Sequence, residues 1–380
     1  MLPFVNRRPL VLAVLAALGV ATLAACDAGD PDPGPFVPPA DEVVAGVNLD
    51  ALFQAPTPGE QDATRAAFAQ RDRALAGAYR FELVEERAGL DGAELLVYRA
   101  RDAESGTVLF HGVVRLPLRA TGDGRARPLV LVLDDGTDGA SADLLTSDTL
   151  PVQASLRDDL VLALLAYRGE PLEAGGARYD SEAAPSPYDR DVDDALAFLT
   201  FARGLGVDVE FLVDGARLGV IGLGRGGGTA LLTEARGGPY TLVVDLAGPT
   251  DLFLGTFRTR VRDLLRGEGG GRFPGIDALA DAIVFPLRDS ALTLEEARLA
   301  LLARSARYFT APPPFIAAVH GEFDGVVPVE HGRVLDLRDP DQGGASAVYL
   351  ELPDADHTSI LRQGKTINLV STLLRDRFSL

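Results

Sequence analysis

Five short, largely apolar runs constrain the fold most: LVLVL (129–133), LVLALL (160–165), RLGVI (217–221), TLVVD (241–245) and FIAAV (315–319). A strand that alternates apolar and polar residues buries one face. A run that is apolar throughout must be covered on both faces, as parallel strands are when helices pack over each side of their sheet. Helical patterns separate several of the runs. In DVDDALAFLTFARGL (191–205), Val192, Ala195, Leu196 and Leu199 share one face, and the opening acids suit a helix N-terminus. This alternation predicts an α/β fold with a mostly parallel central sheet and helices on both faces. Ahead of it, residues 63–78 have helical spacing. Then YRFELVEER (79–87), AELLVYRARD (93–102) and TVLFHGVVRLPL (107–118), separated by turn residues, predict antiparallel N-terminal strands. Regularity breaks over about residues 251–312, which predicts a small helical insertion, lid-like, above the C-terminal ends of the strands where such sheets bind ligands. No internal repeat is visible.

The N-terminus bears on location. Residues 1–25 hold Arg7 and Arg8, an apolar run and small residues, which is the layout of a signal peptide and too short for a membrane span. The single cysteine, Cys26, follows Leu23-Ala24-Ala25, an arrangement similar to the bacterial lipobox, in which the cysteine is lipidated. The resemblance implies a membrane-anchored lipoprotein facing the periplasm or the cell exterior. The plainer alternative is a secretory signal with an incidental cysteine. Residues 26–60 are rich in Pro, Gly and acid and read as a disordered tether, leaving 61–380 as one domain. The formal charge of −19 disfavours phosphate backbones, so no nucleic acid is expected as a partner. His111, His320, His331 and His357 are scattered without ligand spacing, and no metal is expected. Oligomeric state is not legible.

RLGVIGLGRGGGTALL (217–232) runs from an apolar strand through clustered glycines into a helix. Gly222, Gly224 and Gly227 spell GxGxxG, and Asp245 ends the next apolar run, so a dinucleotide loop is one reading. That fingerprint normally opens its domain, whereas here at least two strands precede it. The second reading takes in more of the chain. FIAAVHGEFDGVVPVEHG (315–332) is a strand followed by HGEFDGVVP, and LELPDADHTSI (350–360) carries His357. With AYRGEPLEAGGARY (166–179) and AGPTDLF (247–253), these motifs resemble the α/β-hydrolase superfamily in its dienelactone-hydrolase and prolyl-oligopeptidase (S9-like) branch, over roughly residues 105–376. The resemblance makes the glycine turn a nucleophile elbow, Asp324 the triad acid and His357 the base. It implies a serine esterase or peptidase that needs no cofactor.

The chain departs from that pattern at its centre. Where the elbow carries a serine, the sequence reads GLGRGG, and Gly224 has no nucleophile. The backbone N–H after it, of Arg225, is an oxyanion-hole candidate, as is Gly136 in the loop LDDGTDG. In that loop Asp134 or Asp135 would oppose a developing oxyanion. Ser141 and Thr229 do not sit at the presentation point and read as loop or packing residues. The expectation is a catalytically impaired hydrolase relative whose cleft takes a small ester-like or peptide-like ligand. The alternative is an active hydrolase in which His357 and Asp324 activate water. An Asp324–His357 pair that only braces two loops is the plainer reading of those residues.

Overall fold

The computed structural model describes residues 41–75, 77–117, 125–136, 138–205, 212–309, 314–335 and 347–380. The signal segment, Cys26 and residues 26–40 lie outside them. The large sheet is built from β1 (Tyr79–Ala88), β2 (Glu94–Asp102), β3 (Val108–Arg115), β4 (Ala126–Leu133), β5 (Val161–Leu165), β6 (Leu212–Leu223), β7 (Leu242–Leu246), β8 (Phe315–Gly321) and β9 (Ala347–Leu352). Their spatial order is β9-β8-β7-β6-β4-β5-β3-β2-β1. The β1–β2, β2–β3 and β3–β5 pairs are antiparallel. From β5 through β4, β6, β7 and β8 to β9 every pair is parallel.

Burial on both faces accounts for the apolar runs. Along β4, Leu129, Leu131 and Leu133 enter one core, while Val130 and Val132 enter the core on the other side. All five are fully buried, at roughly 1.5–3 kcal/mol of apolar transfer each. Helix α1 spans Pro58–Leu75, and helix α2 (Arg190–Arg203) covers the first face through Val192, Ala195, Phe198 and Leu199. The C-terminal helix Gly364–Phe378 covers the second through Val370, Leu374 and Phe378.

Parallel register sets the strand ends level. Gly222 pairs with Leu133, Leu223 with Leu246, Leu246 with Val319, and Gly321 with Leu352. The residues that follow β4, β6, β8 and β9 therefore emerge along one edge of the sheet. That edge is where open α/β sheets carry their sites.

One expectation needs correction. The tether expected over residues 26–60 ends earlier, because the chain is ordered and packed from Asp41. Val43–Val44 pairs with Val47–Asn48 in a small hairpin. Asn48 then caps the helical turn Leu49–Leu52 by accepting from Ala51 N at 2.9 Å. Leu49 and Leu52 are fully buried in the core, a drive that the Pro- and acid-rich composition conceals. Arg298 of the insertion holds this segment, donating to the carbonyls of Ala51, Leu52 and Gln54 at 2.8–3.0 Å.

The acids expected at a helix N-terminus do open α2, with Asp191 and Asp193 in its first turn. Asp191, Asp193 and Asp194 are all fully buried. Asp191 takes Arg225. Asp193 takes Arg71, Arg190 and Arg236. Asp194 takes Arg168 and the Tyr79 hydroxyl. Buried carboxylates persist only when paired and hydrogen-bonded in this way.

The insertion is integral to the fold. Phe257, Val261, Ile276 and Leu279 enter the same core as β4. Tyr188 donates to Pro274 O at 3.0 Å, and Arg304 to Pro187 O at 3.1 Å. No helix among the described residues is long and apolar enough to cross a membrane.

Candidate active site

After β6, Gly224 turns the chain into helix α3 (Arg225–Ala235) with φ 50° and ψ −117°. This is a strained left-handed conformation that glycine adopts without a Cβ penalty. The turn needs small residues around it. A Cβ on Gly222 would overlap the carbonyl of Gly226, and one on Gly226 the carbonyl of Leu133. Gly224 N donates to Leu246 O at 2.8 Å, fastening the turn to β7.

The loop after β8 holds Asp324, whose side chain is fully buried. Its Oδ1 accepts from the backbone N–H groups of Val326 and Val327 at 2.9 and 2.8 Å. Its Oδ2 meets Nδ1 of His357, in the loop after β9, at 2.7 Å. The acid and base named from the sequence thus lie side by side, and His357 Nε2 faces the elbow. His320 braces the acid loop by bonding Val327 O at 2.8 Å.

Asp135 supplies the feature that the sequence did not reveal. A Cβ built on Gly224 would overlap Asp135 Oδ1 and come within 2.9 Å of His357 Nε2. The carboxylate of Asp135 fills the space a serine would need. Its Oδ1 accepts from Arg225 N at 3.0 Å, so the expected oxyanion donor is already taken. Its Oδ2 lies 3.6 Å from His357 Nε2. His357 therefore stands between two carboxylates. Burial pulls its pKa down, but Asp135 and Asp324 outweigh that and push it up to about 9. At neutral pH it is an imidazolium, unable to accept a proton.

The guanidinium of Arg225 lies beneath this cluster, almost fully buried. It pairs with Asp191 through Nε at 2.8 Å and Nη2 at 3.0 Å, and with Glu170 through Nη1. It stacks on Tyr167, 4.1 Å from the ring centre. The Tyr167 hydroxyl donates to Asp134 O at 3.0 Å, and Arg225 Nη1 to Gly136 O at 3.3 Å. The loop carrying Asp135 is thus clamped from below. Burial raises Asp134 to about 6 and, against the pull of Arg225, Glu170 to about 7. The sequence does not mark Glu170 and Asp191 as partners of the elbow. The only available signal was that an arginine following an elbow glycine must find counter-charges once buried.

The other residues weighed from sequence have local roles. Ser141 caps the 3₁₀ turn Ala142–Leu145, and the Thr229 hydroxyl donates to Arg225 O at 2.9 Å within the helix. His111 lies within β3 and His331 in the helical turn Glu330–Arg333. The dinucleotide reading finds no room at the glycines. Gly227 packs on Asp245, which is fully buried and accepts from Gly248 N at 2.8 Å. An acid so enclosed cannot reach a ribose.

No family model matches the chain, and no curated protein matches its sequence. Solved structures do match it. Acetyl xylan esterase 1 from Thermoanaerobacterium sp. aligns with TM-score 0.54 and 17% identity, over 87% of this chain and 99% of that one. The α/β-hydrolase GrgF from Penicillium sp. aligns with TM-score 0.47 and 15% identity, over 80% and 99%. A puromycin hydrolase aligns with TM-score 0.48 and 16% identity, over 80% and 40%.

Proposed function

We propose, from the premise that this chain has the α/β-hydrolase fold, that it is a relative of serine esterases and peptidases without serine acyl-transfer chemistry, whose cleft takes a small ester-like or peptide-like ligand. The observation that carries this reading is the exchange at the elbow. Gly224 holds the turn without a nucleophile, and Asp135 fills the vacated space. Acyl transfer needs an attacking oxygen, a neutral imidazole to take its proton and a free oxyanion donor. Gly224 supplies no oxygen, His357 is held protonated, and the Arg225 N–H is bonded to Asp135. The same three facts weigh against water activated by His357, although the 2.7 Å Asp324–His357 bond keeps that reading in play above the pH at which the imidazole loses its proton. We further propose anchoring outside the cytoplasm through lipidated Cys26.

The test is a fluorophosphonate probe together with a p-nitrophenyl ester. The protein should be unlabelled and near-inactive at neutral pH. Labelling of the unmodified protein would show that it carries a nucleophilic oxygen away from Gly224 and would overturn the proposal.

A further inference from the structure

The Gly224–Asp135 exchange does more than remove a serine, because it leaves a carboxylate at the focus of the site. We infer that Asp135 is a nucleophile for saturated carbon, and that the substrate class is a small alkyl compound whose carbon bears a group departing as a stable anion, such as a halide or a sulfonate. The inference rests on the absence of serine chemistry proposed above.

Three features of geometry carry it. The two oxygens of Asp135 have different surroundings. Oδ1 is held by the Arg225 N–H at 3.0 Å, whereas among the described residues Oδ2 meets His357 Nε2 alone, at the longer distance of 3.6 Å. Oδ2 is the oxygen left with lone pairs to use, and the side chain is 28% exposed, so a small molecule can reach it. The loop behind it is fixed by Tyr167 and Arg225, so the carboxylate is held in place rather than free to swing away. Bond chemistry selects the substrate. A carboxylate expels alkoxides and amines poorly from a carbonyl, but it displaces a weakly basic anion from saturated carbon and forms a covalent intermediate.

The steps balance. Asp135 Oδ2 forms a bond to carbon as the bond to the leaving group breaks, giving an aspartyl alkyl ester and the free anion. Esterification removes the charge of Asp135 from beside His357, and the imidazolium releases its proton to solvent. Neutral His357, oriented by Asp324, then takes a proton from water as the hydroxide adds to Cγ of the ester. The resulting oxyanion is Oδ1, already at the Arg225 N–H. Collapse expels the alkoxide, which takes the proton back from His357 and leaves as the alcohol. The carboxyl proton of Asp135 passes to His357, restoring the ion pair. The sum is alkyl donor plus water giving alcohol, leaving anion and one proton.

Methyl 4-nitrobenzenesulfonate, whose methyl group needs no shaped pocket, tests this on the full chain. His357→Gln removes the base, so the methyl ester should accumulate and map to Asp135. It should stand on the order of tenfold above the exposed acids, as a positioned nucleophile does. Asp135→Asn should lose it. In water enriched in heavy oxygen, the unmodified protein should turn over and build heavy oxygen into the Asp135 carboxylate, a readout that stands even if the His357 variant misfolds. Methylation spread evenly over surface acids, with no heavy oxygen entering Asp135, would overturn the inference and make Asp135 an internal plug only. Fluorophosphonate labelling would instead overturn the reading on which it rests.

Discussion

Gly224→Ser isolates the exchange at the elbow. The new Cβ would overlap Asp135 Oδ1 and crowd His357 Nε2 at 2.9 Å. The backbone there, at φ 50° and ψ −117°, strains a residue with a side chain by about 1–3 kcal/mol. Moving Asp135 aside breaks its bond to the Arg225 N–H, a charge-assisted contact worth about 1.5–3 kcal/mol, discounted here because the carboxylate is partly exposed. A loss of about 2–5 kcal/mol is therefore expected, with no fluorophosphonate labelling, because the displaced carboxylate still crowds the hole. Gly224→Ser with Asp135→Gly removes the overlap and frees the donor. The double variant should recover about 1–3 kcal/mol relative to the sum of the single effects and should become labelled. Urea denaturation followed by circular dichroism suits the stability measurement, since the chain has no tryptophan. If the single variant labels as fast as the double and the stabilities add within about 0.5 kcal/mol, Asp135 does not block the elbow and the reasoning fails.

The remaining predictions concern charge and anchoring. His357 should titrate near 9, and Asp135→Asn should lower that value, both followed by imidazole nitrogen NMR. Because its folded pKa is raised, the stability it contributes, on the order of 3 kcal/mol at most, is fully present below its ordinary 6.5 and lost as pH rises through about 9. Burial raises Asp245 to about 7, which adds a loss between its ordinary 3.8 and 7, so melting temperature should fall steadily from mildly acid to alkaline pH. A flat profile would contradict both assignments. Asp191→Ala leaves the guanidinium of Arg225 buried with Glu170 as its one counter-charge among the described residues and should cost about 3–5 kcal/mol by denaturant titration. Cys26→Ser should move the protein from the membrane to the soluble extracytoplasmic fraction, and unchanged fractionation would exclude a lipid anchor.

Much of the fold is legible because the apolar runs report burial directly. LVLVL at 129–133 lies within β4, FIAAV at 315–319 within β8, and the antiparallel start matches β1 to β3. Asp324 and His357 are legible because each follows a recognisable strand. Residues whose role depends on a partner far along the chain are not. Nothing near Asp135 announces that its carboxylate will enter the space at Gly224. The acids of DVDD read as a helix start and no more, since their arginines at 71, 168, 225 and 236 lie outside any local window. Arg115, in β3, is likewise fully buried against Asp91 and Asp158, partners that lie outside its strand. At residues 41–60 composition misleads, because a few apolar side chains outweigh many prolines and acids.

The Arg298 clasp and the charges at Arg71 and Asp72 make the segment before β1 a late arrival in assembly. Arg71 reaches Asp189 and Asp193, Asp72 reaches Arg236, and Glu60 reaches Arg298, all more than a hundred residues further on. A chain emerging N-terminus first presents this segment long before its docking surface exists, so it must wait unpaired while the sheet forms. The same dependence fixes how far the front of the molecule can be trimmed. Cutting ahead of Asp41 should leave a foldable domain, whereas cutting to the first strand at Tyr79 would strip Arg236 and Arg298 of carboxylate partners they hold while almost wholly buried.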